Sequence, residues 1–232
     1  MLASKEHRVC SQNGEDGIID YILSVIGEGG RFCVEFGFGN QANTLNLLSN
    51  KKWSGVLIDC NPKEYVTGLS RYCDRKDVTI KLEAVTPDNI NLLFKETNVP
   101  EVIDVLSIDI DGMDLHVFKA LEGYKIRLLV IEYNASLGPD ASITVPYIKD
   151  FNRMNFHPEY HGASLKALTK IAESKGLKLV GVDSSGINAF YIQQDMPVEA
   201  VSVEKAFMNH AKRNGKWQDQ FKDIAKFKFE EV

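Results

Sequence analysis

Apolar positions recur along the chain in two rhythms. Ile18, Ile19, Ile22, Leu23 and Ile26 fall at helical spacing, and Gly27, Gly29 and Gly30 stop the run. Residues 31–36 are then apolar nearly throughout, as in a strand of a parallel sheet buried on both faces. The turn Gly37-Phe38-Gly39-Asn40 follows, and residues 44–50 read as a helix carrying Leu45, Leu47 and Leu48. The pair then repeats. Strands are expected at 55–60, 78–85, 102–110 and 126–132, with helices at 63–71, 87–96 and 115–121. Alternation at this spacing predicts right-handed βαβ units, a parallel sheet and helices on both of its faces.

The second half changes character. Residues 134–162 are rich in Pro, Gly, Asn, Tyr and His and show little periodicity. A loop of that length in a compact domain is more often functional than idle. Residues 164–175 form an amphipathic helix with Leu165, Leu168, Ile171 and Ala172 on one face, and Gly176 stops it. Strands at 177–182 and 189–193 flank the turn sequence Asp183-Ser184-Ser185-Gly186, so the sheet is expected to close with an antiparallel hairpin. The charged stretch 203–232, punctuated by Phe207, Trp217, Phe221, Phe227 and Phe229, reads as helical. The expected organisation is one domain over 1–202 and a tail over 203–232, docked on the domain or serving as a homodimer contact.

Composition narrows the class. A chain of 232 residues can bury the core of one α/β domain, and 44% apolar with 25% charged residues is ordinary for a globular protein. A net charge of −5 gives no overall footprint for nucleic acid or an anionic membrane surface. No apolar run approaches the roughly 20 residues of a membrane-spanning helix. Residues 1–10 are polar, without the apolar stretch of a signal peptide, which points to the cytoplasm. Cys10, Cys33, Cys60 and Cys73 form no CxxC pair. Cys33 and Cys60 lie in strand-like runs and read as buried thiols rather than disulfides or zinc ligands.

Three features converge on a nucleoside ligand. Glu35-Phe36-Gly37-Phe38-Gly39 sits where a buried strand meets a helix, and glycine there lets the backbone turn sharply against a ligand. Asp59 ends the next strand about 20 residues on, where a carboxylate can accept hydrogen bonds from ribose hydroxyls. Both lie at the carboxyl edge of the parallel sheet, the usual crevice of such folds. Gly37-x-Gly39-x-x-Ala42 also fits a loose dinucleotide fingerprint, so an NAD-dependent oxidoreductase is one alternative. Glu35, two residues before the first glycine, would point a carboxylate into the crevice, which suits an amine-bearing cation better than a pyrophosphate.

A wider set of motifs then carries a resemblance. Ser11-Gln12-Asn13-Gly14-Glu15-Asp16-Gly17, Val34-Glu35-Phe36-Gly37, Asn43-Thr44, the run 53–59 (WSGVLID), the run 107–114 (SIDIDGMD) and Val130-Ile131-Glu132 occur in order. Together, from about Ser11 to Gln193, they resemble the FkbM-like S-adenosylmethionine-dependent methyltransferase family. The resemblance implies a class I methyltransferase (Rossmann-like) fold, a seven-stranded mostly parallel sheet of order 3-2-1-4-5-7-6. It also implies methyl transfer from S-adenosylmethionine, often to a hydroxyl oxygen. On that resemblance Glu35, Gly37 and Gly39, with Asn43 and Thr44, would hold the methionine part and Asp59 the ribose. Glu83 and Ala84 would border the adenine, and Gln12 and Glu15 would close over the cofactor. The closing hairpin is likewise the arrangement expected of methyltransferases rather than dehydrogenases. Gln41 stands where many methyltransferases have a third glycine, and Asp111 and Asp114 stand where the family often has Glu.

Beside the cofactor edge the strand ends carry an acidic group. Asp109 and Asp111 follow the fourth strand, and Glu132 and Asn134 follow the fifth, so four oxygen-bearing side chains are expected to converge. One reading makes Asp109, Asp111, Glu132 and Asn134 hard ligands for Mg²⁺, Mn²⁺ or Ca²⁺, with the metal orienting a substrate hydroxyl and lowering its pKa. The other makes His157 or His161, in the long loop, a metal-free general base. The plainer reading is that Asp109 and Glu132 cap helices or bind backbone amides and that Asp111-Gly112 is a turn. Tyr133, Tyr147 and Tyr160 either line a substrate pocket or belong to the core. The expected acceptor is a small molecule or carbohydrate, with no nucleic-acid or membrane partner. A non-catalytic nucleoside-binding module of the same fold is the further alternative.

Overall fold

The computed structural model describes residues 2–232. Five parallel strands alternate with helices: β1 (Phe32–Phe36), β2 (Ser54–Asp59), β3 (Val78–Leu82), β4 (Val102–Ile108) and β5 (Lys125–Glu132). The helices are α1 (Glu15–Ile26), α2 (Leu45–Ser49), α3 (Pro62–Tyr72), α4 (Ile90–Glu96) and α5 (Asp114–Ala120). Next come β6 (Ile143–Thr144), α6 (Leu165–Ser174), β7 (Leu177–Val182), β8 (Asn188–Gln193), α7 (Val203–Ala206), α8 (Trp217–Ile224) and β9 (Glu230–Glu231).

The main sheet runs β3-β2-β1-β4-β5-β8-β7. β8 is antiparallel to both β5 and β7. The numerals depart from the expected 3-2-1-4-5-7-6. A short strand, β6, arises inside the long loop and pairs with β9 outside the main sheet, so the closing hairpin carries numbers 7 and 8. A two-residue strand in an aperiodic segment leaves no hydrophobic rhythm to read.

The parallel strands are apolar on both faces because both are covered. On one face Val34, Phe36, Ile58 and Ile108 pack with Phe94 and Phe118 of α4 and α5. On the other, Cys33, Leu57, Val105 and Val130 pack under Ile18, Ile19 and Ile22 of α1. Side chains alternate along a strand, so Glu35 shares the α1-side row with Cys33. A third cluster joins Met113, Val145 and Tyr160 to Ile224, with Phe221, Phe227 and Phe229 against it. The stretch 203–232 is thus not one helix. It is two short helices and a strand folded back over the long loop.

One further expectation is corrected here. Cys33 is buried, but Cys60 is exposed, because β2 ends at Asp59 and the next residue leaves the sheet. No helix among the described residues is long and apolar enough to cross a membrane.

Candidate functional site

The site begins at a close approach of two backbones. Beyond β1, Gly37 adopts φ +70°, and a Cβ built on it would lie 1.8 Å from the carbonyl oxygen of Asp109. The contact follows from the pairing of β1 with β4, continued by Asp109 N–H donating to Phe36 O at 3.2 Å. A Gly37→Ala variant combines a left-handed backbone with a backbone clash. It is expected to lose at least about 2 kcal/mol of stability, read as a lower urea midpoint. Gly39 differs: a Cβ there meets nothing within 4 Å, so its backbone opens onto empty space.

Glu35, expected to reach the ligand as a free carboxylate, is instead committed to the loop beside it. It is 1% exposed. One oxygen accepts from Asn43 N–H at 2.8 Å and from the Ser107 hydroxyl at 3.1 Å. The other accepts from Thr44 N–H at 2.9 Å and the Thr44 hydroxyl at 2.5 Å. Burial pushes its carboxyl up to about 7, against the pull of these donors. Asn43 and Thr44 therefore act on Glu35, holding the turn that carries Gly37 and Gly39.

Asp59, 8% exposed at the end of β2, accepts from Asn61 N–H at 2.8 Å, while Asn61 caps α3 through Lys63 N–H. Gln12, Gly37, Gly39, Asp59, Glu83 and Ala84 all line one cleft of about 840 Å³. Gln12, Glu15, Glu35, Asn43 and Asp109 border an adjoining chamber of about 320 Å³. Gln12 reaches both because the segment before α1 is folded by Asp16. One Asp16 oxygen accepts from the amides of Val9, Cys10 and Ser11 at 2.9, 2.7 and 2.7 Å.

Across the same cleft Asp109, Asp111 and Glu132 each present an oxygen within 4.8 Å of the others. Asp114 builds the loop between them: its carboxylate accepts from Ile110 and Gly112 amides, both at 2.9 Å. Asp111 turns back with φ +58° and pairs with Arg153 at 3.0 Å. Burial, followed by repulsion from Asp114 and Asp111, holds the Asp109 carboxyl well above its ordinary value. Burial and repulsion from Asp109 do the same for Glu132. Burial also pushes Asp114 up to about 6. Glu132 Oε2 is buried without a hydrogen-bond partner. Three crowded carboxylates, one with an orphaned oxygen, form a donor set that suits a hard divalent cation.

Asn134, His161 and His157 do not join that cluster. The Asn134 amide donates to the carbonyls of Glu159 and His161 at 2.7 and 2.8 Å, and its oxygen accepts from Ser136 N–H and Arg213. It is a loop fastener with no lone pair turned to the cleft. His161 is 1% exposed behind Glu132, with Nε2 2.7 Å from Arg213 Nη2. Burial first, then Arg213, keeps it far below the ordinary histidine value, so it stays neutral. The His157 ring accepts from Glu159 N–H at 3.2 Å within its own turn, outside the cleft lining. Of the three tyrosines, Tyr133 and Tyr160 are core, and Tyr147 lines the cleft.

Sequence reasoning missed the tail's contribution. His210, Lys212 and Arg213 line the cleft with Arg153. Burial, then the two cations, pushes His210 down to about 4. The one available signal was the basic run His210-Ala211-Lys212-Arg213 in an otherwise mixed-charge tail. Asn188, at the start of β8, was also missed. Its Oδ1 is buried without a partner beside the smaller chamber, while its Nδ2 donates to Glu15 at 3.1 Å.

No protein-family model matches the chain. No curated protein matches it. Solved structures do. PKMT2 from Rickettsia typhi, in complex with AdoHcy, is 10% identical over 78% of this chain and 53% of that one, with a TM-score of 0.50. An O-methyltransferase family protein from Burkholderia thailandensis is 13% identical over 79% of this chain and 60% of that one, at 0.48. TrmK from M. capricolum, bound to S-adenosyl-homocysteine, is 14% identical over 82% and 76%, at 0.46. The chain therefore spans little more than half the length of the first two. It has the α/β methyltransferase fold with a mostly parallel seven-stranded sheet.

Proposed function

We propose that the chain is an S-adenosylmethionine-dependent methyltransferase of the FkbM-like type, acting on a hydroxyl of a small molecule or sugar with help from a divalent cation. The observation that carries the choice of cofactor is the engagement of Glu35. Its carboxylate already occupies the amides of Asn43 and Thr44 at the entry to α2. That is where a dinucleotide fold offers free N–H groups to a pyrophosphate. With an anion of its own there, the turn disfavours NAD and leaves room for a cationic cofactor.

The remaining parts agree. Asp59 offers a carboxylate to ribose, and Glu83 and Ala84 border the base. The smaller chamber, with Glu15, Asp109 and the unpartnered Asn188 Oδ1, offers acceptors to an ammonium group. Asp109, Asp111 and Glu132 would hold the cation, which when bound orients an acceptor hydroxyl and lowers its pKa. Met113, Tyr147, Phe151 and Met154 line the cleft with apolar surface, which keeps water from the reacting oxygen.

Calorimetry tests the cofactor assignment. S-adenosylhomocysteine is expected to bind with micromolar affinity and NAD not at all; NAD binding would return the oxidoreductase reading. Methyl release from labelled cofactor, across a panel of hydroxyl acceptors, separates an enzyme from a binding module. EDTA is expected to abolish that release and Mg²⁺ or Mn²⁺ to restore it. Full turnover in EDTA would remove the cation from the scheme.

A further inference from the structure

The wall behind the carboxylate cluster holds a chain of contacts that the cluster's own residues do not explain. Arg213, from the tail, donates to three acceptors: Asn134 Oδ1 at 2.9 Å, the Ser136 hydroxyl at 2.6 Å and His161 Nε2 at 2.7 Å. A guanidinium has donors only and keeps its charge in proteins. His161 Nε2 must therefore be the unprotonated nitrogen, which places the ring's proton on Nδ1. That N–H faces Glu132 Oε2 across 3.6 Å, just beyond hydrogen-bond length. Both atoms are buried, and neither has another partner. Two orphans turned toward each other, one with a proton and one with a lone pair, need only a small ring rotation to meet.

We propose that Arg213 and His161 are positioning residues for Glu132. The tail's guanidinium selects the imidazole tautomer, and the imidazole restrains the Glu132 carboxylate beside Asp109 and Asp111. The proposal rests on the reading of that cluster as a cation site. Histidine and carboxylate groups behind a metal ligand commonly set its orientation, and losing one typically costs 10–100-fold in affinity. Here the order is inverted: the carboxylate faces the site and the histidine stands behind it. The device also ties the far end of the chain to the chemistry. Ser136 donates on to Gln220 of α8 at 2.8 Å, and Gln220 in turn binds the carbonyls of Asn214 and Gly215. Arg213 is therefore itself held by the segment that follows it.

Two measurements on the full chain test this. The first is a long-range nitrogen–proton correlation spectrum of the His161 ring. The wild type is expected to show the Nδ1–H form, and R213A a shift toward Nε2–H. The second is Mn²⁺ binding by calorimetry. R213A and H161F are expected to weaken it ten- to a hundredfold. H161N, which retains an N–H near the Nδ1 position, is expected to recover most of the loss relative to H161F. An Nε2–H ring in the wild type overturns the proposal, as does wild-type Mn²⁺ affinity in H161F. Should R213A fail to fold, the wild-type ring spectrum and the H161F and H161N pair decide the matter. A wild type that takes up no Mn²⁺ yet switches tautomer in R213A would retire the cation reading and leave the Arg213–His161 link standing. S-adenosylhomocysteine affinity, expected to be unchanged in the His161 variants, reports separately on the methyl-donor assignment.

Discussion

Asp109→Asn is expected to make the protein more stable and to cost it at least about a hundredfold in turnover. The stability gain comes from burial and then from crowding. Asp109 sits among Asp114, Asp111, Glu35 and Glu15, and burial and these charges hold its carboxyl well above the ordinary 3.8. An acid whose folded value is raised contributes stability that is fully present below its unfolded value and is lost as pH rises through the folded one. Once pH exceeds the folded value, the wild type therefore carries a buried charge and its repulsions, which Asn removes. Asp109 keeps partial exposure to the cleft, so the gain is held to about 1–2 kcal/mol. Urea unfolding at pH 8 and pH 4 checks it: the variant's advantage should shrink on acidification, where the wild-type group takes up its proton. Divalent cation should stabilise the wild type by mass action and leave the variant nearly unmoved. A variant less stable than wild type at pH 8, or one that still turns over, would remove Asp109 from the role given to it.

The second large effect lies on the opposite side of the same turn. Glu35→Ala removes the acceptor for two backbone amides and two hydroxyls at once. Each buried donor left unmatched costs about 1–3 kcal/mol, less where neighbours rearrange, so a total loss of about 4 kcal/mol is expected. Glu35→Gln should cost less, since it keeps one acceptor oxygen but brings an NH₂ against a donor. In both variants the turn carrying Gly37 and Gly39 loosens, and S-adenosylhomocysteine affinity should fall at least about tenfold. The pH dependence gives a second check. With its carboxyl raised from 4.5 to about 7, Glu35 contributes stability below 4.5 that declines as pH climbs through 7. Wild-type stability should fall across that window more steeply than that of Glu35→Gln. Equal slopes, or an Ala variant as stable as wild type, would show that the loop holds without this residue.

Much of the fold was legible because burial on two faces leaves unbroken apolar runs, and β1, β2, β4 and β5 all announce themselves that way. The carboxyl edge was legible for the same reason: once the strands are located, Gly37, Asp59 and Asp109 must share a side of the sheet. Periodicity, however, reports that a face is covered and not what covers it. Glu35 reads as a carboxylate in a crevice until Asn43, Thr44 and Ser107 are seen to surround it. Ser107 lies 72 residues away. His161 reads as a loop base until Arg213, 52 residues on, takes its Nε2. Asn134 looked like a ligand because it follows the fifth strand, yet the following loop claims its whole amide. β6 and β9 are too short to carry a pattern, and the cations of the tail enter the cleft through a path with no repeat.

The roof over the cleft is made from segments at opposite ends of the chain. Asp16 gathers the residues before α1, so that Gln12 lines the cleft, and the tail brings Lys212 to the same lining. These two pieces meet where Lys212 Nζ donates to Asn13 Oδ1 at 3.2 Å, an exposed contact. Such a contact contributes about 1 kcal/mol at most. The walls below belong to a seven-stranded sheet, whereas this clasp unfastens at thermal cost. Parting Asn13 from Lys212 would release the segment before α1 from the tail without moving any strand of the floor.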